Sequence, residues 1–128
     1  MCCYNDHYGH AAGDECLKAI GELLRRKVPR KTDLIARYGG EEFAVVFPDT
    51  PPDEVLRLSE SIREGVEQLA IEHAKSDAAT VVTISGGVAV VEPDQNTPPS
   101  SLIKSADLAL YQSKEKGRNR VTAFRSLL

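Results

Sequence analysis

Two short runs of β-forming residues, 34–38 and 43–47, stand on either side of Gly39-Gly40-Glu41-Glu42. Apolar runs this short, parted by a glycine pair, read as a β-hairpin with a glycine-led turn. The hairpin puts two adjacent carboxylates, Glu41 and Glu42, at or beside a tight turn. Glycine lets a ligand approach the backbone closely, and neighbouring acids can offer oxygen ligands to a hard cation such as Mg²⁺. On residue types alone a solvated acidic turn is an equal reading, because Gly and Glu are common in turns and on surfaces.

The rest of the chain supplies the layers such a hairpin needs. Leu17, Ile20, Leu23 and Leu24 fall at helical spacing and predict a helix over residues 14–27, stopped by Pro29. Thr50-Pro51-Pro52-Asp53 combines a capping hydroxyl, prolines suited to a first turn and an acid three residues on. A second helix is predicted from there to about residue 74, with Val55, Leu58, Ile62, Val66 and Leu69 inward. Residues 80–91 are rich in β-branched side chains and broken by Gly86-Gly87, as in a buried strand or two strand segments with a bulge. After a loop over 93–99, a last helix is predicted from about 101 to 116. It turns Leu102, Ile103, Ala106, Ala109 and Leu110 inward, Gly117 ends it, and a short strand over 120–124 closes the chain. Nothing in residues 1–13 reads as an opening strand. The order is that of an α+β or α/β domain, and one domain over residues 1–128 is expected.

Composition narrows the function. With 128 residues and 41% hydrophobic content the chain can bury one core. Its 16 basic against 19 acidic residues leave a net charge of −3, without the cationic excess that nucleic-acid binding draws on. Apolar stretches such as 88–91 are far shorter than the roughly 20 residues of a membrane span, and no signal-peptide pattern opens the chain, so a soluble, cytoplasmic protein is expected. Three cysteines, two of them adjacent at Cys2 and Cys3, give neither a disulfide framework nor a CxxC site. His7, His10 and His73 lack the spacing of a zinc site.

Five segments together resemble the successive signatures of the GGDEF diguanylate cyclases. They are Tyr4-Asn5-Asp6 with Gly9-His10 and Gly13-Asp14; Arg37-Tyr38-Gly39-Gly40-Glu41-Glu42-Phe43; Thr83-Ile84-Ser85-Gly86-Gly87-Val88-Ala89; Ala106-Asp107-Leu108-Ala109-Leu110-Tyr111; and Lys114 with Gly117-Arg118-Asn119-Arg120. The resemblance spans residues 4–124 and implies a nucleotidyl-cyclase palm-like sandwich, a largely antiparallel sheet with helices packed on it. The implied activity is condensation of two GTP into cyclic di-GMP with release of two pyrophosphates. In that family the residue matching Glu41 binds Mg²⁺, or Mn²⁺ as an alternative, and helps deprotonate the attacking 3′-hydroxyl, with Glu42 the neighbouring acid of the metal site. Gly39 and Gly40 would lie against the nucleotide, Asn5 and Asp14 would hydrogen-bond the guanine edge, and His10 belongs to the same substrate-side motif. Lys114 and Arg118 match the pair that meets the phosphates, although cations are favoured at a helix C-terminus in any case. Each domain holds one GTP, so a homodimer is implied for catalysis.

Arg30-Lys31-Thr32-Asp33 is an RxxD motif with five residues between its Asp and the glycine pair. That is the family's spacing for the inhibitory site that binds product through Arg30 and Asp33. A bare RxxD would more often be an exposed charged turn. The family pattern also has, ahead of Asn5-Asp6, a strand with a DxD-type segment followed by Phe-Lys, where Met1-Cys2-Cys3 stands here. The resemblance therefore implies a domain incomplete at its N-terminus, short of its first central strand and of one metal-binding Asp. The alternative is a catalytically silent domain that binds cyclic di-GMP at Arg30 and Asp33 as a receptor or interaction module.

Overall fold

The computed structural model describes residues 8–28, 30–73, 80–92 and 96–124. Helix α1 (His10–Lys27) begins one turn before the predicted start, because Ala11 and Ala12 are strong helix formers and Gly9, at φ 90°, turns the chain just ahead of them. Its end is where the apolar spacing puts it, with the Val28 amide bonded to the Leu24 carbonyl; Pro29 lies outside the described residues. Strands β1 (Leu34–Arg37) and β2 (Phe43–Val46) form the expected antiparallel hairpin, with Leu34 opposite Val46 and Arg37 opposite Phe43.

Helix α2 (Pro52–Gln68) starts behind Pro51, and no side-chain hydroxyl caps it. Thr50, predicted to cap it, instead donates to the Pro48 carbonyl and accepts a hydrogen bond from Arg30. The helix also stops short of residue 74. The Leu69 and Ala70 amides tighten onto carbonyls three and four residues back, and Ala70 turns left-handed at φ 54°. From there the backbone extends, and Glu72 forms an isolated antiparallel bridge with Val81. The β-branched stretch yields only three residues of regular strand, β3 (Gly86–Val88). Helix α3 (Pro99–Glu115) then crosses over to β4 (Val121–Ala123), which pairs parallel with β3. A parallel pair needs such a crossover.

The expected mixed fold class is the one observed. Among the described residues the strands form two separate pairs, one antiparallel and one parallel. The main core among the described residues lies between the hairpin and the first two helices. Cys16, Ile20, Leu23 and Leu24 from α1 meet Ile62 and Val66 from α2 and Val82 from the extended stretch; Ile35, Phe43 and Val45 of the hairpin and Ile84 pack against this cluster. The two helices cross at Gly65, where an added Cβ would lie 3.1 Å from a Leu23 methyl. Helix α3 covers the β3–β4 pair at Gly87, so closely that a Cβ there would fall 2.2 Å from the Ala106 carbonyl oxygen. Alternation sends the next residue, Val88, to the other face, where it lines a groove with Leu56 of α2. The β3–β4 pair thus lies between α2 and α3.

One predicted detail of α3 changes, and one buried residue was not among those expected inward. Ile103, expected inward, is 51% exposed. The 17-residue helix is about 25 Å long, whereas three-residue strands span only about 10 Å, so its first turns overhang the sheet. Ser113 is fully buried instead, 2.7 Å from both the Gly86 carbonyl and the Thr122 hydroxyl.

Candidate active site

The hairpin turn is closed by the Tyr38 amide, which donates to the Glu42 carbonyl at 2.6 Å and leaves Gly39, Gly40 and Glu41 as a three-residue loop. Gly39 has φ 84°, where an L side chain would be strained by roughly 1–2 kcal/mol. Gly40 is different. Its φ lies outside the left-handed region, and a Cβ built on it meets nothing within 4 Å among the described residues. The Arg37 guanidinium, at the end of β1, donates through Nε (3.0 Å) and Nη2 to the Gly40 carbonyl and braces the loop. Glu41 and Glu42 are both exposed.

Among the described residues no group of three or more His, Cys, Asp or Glu side chains could enclose a metal by itself. Two carboxylates beside an open, side-chain-free backbone fit a different arrangement. Mg²⁺ is commonly held by one or two carboxylates with substrate phosphates and waters completing its shell, and oxygen donors suit Mn²⁺ as well. Glu41 and Glu42 are the donors that would hold such an ion.

The other predicted substrate residues lie on two further elements. His10 and Asp14, four residues apart, share one exposed face at the start of α1. Among the described residues that helix has no side-chain cap, and a helix start favours negative charge. Gly21, further along α1, faces the Phe43 ring that follows Glu42 in sequence. Asn5 lies outside the described residues. Lys114 and Arg118 are exposed on either side of the end of α3. There the Arg118 amide reaches back to the Ser113 carbonyl (2.9 Å) and the Gly117 amide to that of Lys114 (3.4 Å), the two bonds of a Schellman ending with Gly117 at φ 114°. The predicted helix-stopping glycine therefore has the left-handed conformation its place requires.

Arg30 and Asp33 are brought into direct contact. Arg30 Nε and Nη2 donate to the two carboxylate oxygens at 2.9 and 2.6 Å, and Nη2 also donates to Thr50 Oγ1 at 2.6 Å. The bond to Asp33 holds the guanidinium above its ordinary pKa range. Nη1 has no partner among the described residues. Asp33 precedes β1 and the glycines follow it, so this pair and the turn are on the order of 20 Å apart along the strand. The apolar groove of about 220 Å³ lined by Pro52, Leu56, Val88, Val90, Ala123 and Phe124 includes none of these polar residues.

No site role for Arg37, Arg63 or Asn119 by itself was legible in the sequence, and Thr50 read only as a helix cap. Arg37 sits three residues before the carbonyl it grips, a spacing that could have been noticed. The Arg63–Asn119 contact joins residues 56 apart in sequence and leaves no local signal.

The chain matches the family described as "Diguanylate cyclase, GGDEF domain" over residues 3–120, and it belongs to that family. It is 45% identical over 117 residues to the uncharacterized protein YhcK of Bacillus subtilis, covering 91% of this chain and 32% of that protein. It is 42% identical over 119 residues to diguanylate cyclase A of Treponema denticola, covering 92% of this chain and 31% of the relative. The chain thus spans about a third of the length of these curated relatives. Its fold is similar to the GGDEF domain of DgcB from Caulobacter crescentus, solved in complex with c-di-GMP, with a TM-score of 0.82, 35% identity, and coverage of 96% of this chain and 71% of that one. No helix among the described residues is long and apolar enough to cross a membrane.

Proposed function

We propose that this chain is a diguanylate cyclase domain that joins two GTP molecules into cyclic di-GMP, and that the Gly39-Gly40-Glu41-Glu42 turn is its catalytic centre. The observation that carries the proposal is Gly40: neither its φ nor any neighbour among the described residues requires a glycine there. A bare backbone beside two carboxylates makes sense when a nucleotide comes to lie against it. In this reading the 3′-hydroxyl of one GTP attacks the α-phosphate of the other. An O–P bond forms, the bond to pyrophosphate breaks, and Glu41 takes the hydroxyl proton. Glu41 and Glu42 hold Mg²⁺ or Mn²⁺, which when bound supplies positive charge to the phosphoryl oxygens. Asp14, with Asn5, accepts hydrogen bonds from the guanine edge beside His10, and Lys114 and Arg118 neutralise the phosphates. Each domain presents one such turn, so two copies face each other across a near two-fold axis while the two bonds form.

The test is incubation with GTP and Mg²⁺, with cyclic di-GMP detected by liquid chromatography and mass spectrometry. Wild-type chain should give product and Glu41→Gln should give none. Gly40→Ala should unfold within about 0.5 kcal/mol of wild type and yet lose most of its product formation. Wild-type turnover by Gly40→Ala or Glu41→Gln would sink the assignment of the turn.

A second site is supported by the Arg30–Asp33 pair, in which Arg30 is 46% exposed and its Nη1 has no partner among the described residues. We assign it to product binding, as feedback on the same reaction, or as the whole function of a silent receptor domain. Calorimetric titration with cyclic di-GMP separates the cases. Arg30→Ala should abolish binding in both, and a receptor would bind without any turnover of GTP.

A further inference from the structure

Arg118 follows Gly117 in a left-handed conformation of its own, φ 66°, and Asn119 continues it at φ 44°. Left-handed residues other than glycine are unfavourable by roughly 1–2 kcal/mol each, so a consecutive pair persists only where its surroundings hold it. What holds it here is a network on α2. Arg63 Nη1 donates to Asn119 Oδ1 at 2.9 Å, and Asn119 Nδ2 donates to Glu67 Oε2. The Asn119 amide is used at both ends. Arg63 is itself fixed, with Nε donating to Glu60 Oε1 at 2.7 Å and only 14% of its side chain exposed. The Arg118 side chain, one residue before this clamp, is exposed and makes no hydrogen bond or ion pair among the described residues.

We infer that Arg63 is a positioning residue for substrate binding: with Glu67 it clamps Asn119, and so fixes the left-handed turn that aims the Arg118 guanidinium at a nucleotide phosphate. The inference rests on the reading of Arg118 as a phosphate contact. The physical logic is that a long, rotamer-rich side chain binds more tightly when its backbone is already set. Lys cannot replace Arg63 fully, since one ammonium cannot serve Glu60 and Asn119 with the geometry of a planar fork. Asn119→Gly separates clamp from strain, because glycine accepts φ 44° without cost but has no amide for Arg63 and Glu67 to grip.

The experiment measures binding of 3′-deoxy-GTP with Mg²⁺ by calorimetry, a probe that lacks the attacking hydroxyl and so does not turn over, alongside thermal unfolding of each variant. Arg63→Ala and Asn119→Gly should each raise Kd about threefold to tenfold, a loss of up to one decade in affinity. Arg63→Lys should fall between wild type and Arg63→Ala, and Asn119→Gly should keep a wild-type unfolding midpoint. In an Arg118→Ala background, Arg63→Ala should change Kd no further. If Arg118→Ala weakens binding while Arg63→Ala and Asn119→Gly bind as wild type, the clamp has no role and only this inference falls. If Arg63→Ala costs as much without Arg118 as with it, the effect does not pass through Arg118 and the inference is equally overturned. If Arg118→Ala binds as wild type, the reading of Arg118 as a phosphate contact falls and the inference goes with it.

Discussion

Cys16 lies on the inner face of α1 at 3% exposure, in the core with Ile20 and Val66. Burial penalises the thiolate and pushes the thiol pKa up from its ordinary value. The unfolded chain therefore loses this proton first as pH rises. The stability tied to the neutral thiol is complete below the ordinary thiol range, near pH 8.5, and declines above it toward the raised native pKa. Two results should follow. Native protein at pH 8 should leave Cys16 unalkylated by iodoacetamide in peptide mapping, with full alkylation once urea unfolds it. Between pH 7 and pH 9.5 the wild type should lose more urea resistance than Cys16→Ala does. Ready alkylation of Cys16 in the native state would show that the side chain is open to solvent and that burial does not govern it. Gly39 and Gly40 teach a related lesson at the same scale, since two adjacent glycines have different reasons for being there. Gly39 answers to the backbone, at φ 84°, and Gly40 answers to nothing among the described residues.

At the scale of elements the tightest joint is α3 on β3. A methyl on Gly87 would meet the Ala106 carbonyl oxygen at 2.2 Å and the Leu110 amide nitrogen at 2.3 Å, and both are helix backbone that cannot swing aside. Gly87→Ala should therefore destabilise by about 3 kcal/mol or more, at the top of the range for overpacking. Gly86→Ala meets only a Val121 methyl at 3.3 Å and should be markedly milder. Urea denaturation of the two variants checks this; a wild-type midpoint for Gly87→Ala would mean the helix does not lie where it is described. This joint also marks the limit of what could be read from residues. The three helices and the hairpin were legible because their apolar residues repeat at 3.6 or run in short β-branched blocks. Gly86-Gly87 suggested a bulge, since sequence does not distinguish a glycine needed for an unusual backbone from one needed for close approach. The end of α2 was hidden because a left-handed Ala70 has no sequence signal, and Thr50 looked like a cap because its partner, Arg30, is 20 residues away.

At the scale of the whole molecule, the candidate chemistry is spread over ends of elements: the β1–β2 turn, the start of α1 and the end of α3. Periodicity predicts the elements but not that these three ends would serve one ligand, so the proposed site is legible only through the combined resemblance of the five segments. The same arrangement sets a kinetic expectation. Each chain has one glycine-acid turn, while the proposed product contains two phosphodiester bonds between two nucleotides, so one chain would supply half of what the proposed reaction needs. On the proposed function, two copies would have to meet with GTP on each. In dilute solution the rate should then rise with the square of protein concentration, and the specific activity should rise linearly until the dimer saturates. Pyrophosphate release measured over a hundredfold dilution series should give a slope of about 2 in log rate against log concentration at the dilute end, bending toward 1. Sedimentation velocity across the same range should show the dimer fraction growing where the slope bends. A slope of 1 throughout, with only monomer sedimenting, would mean that a single chain completes the reaction and that the two-fold arrangement of sites is wrong.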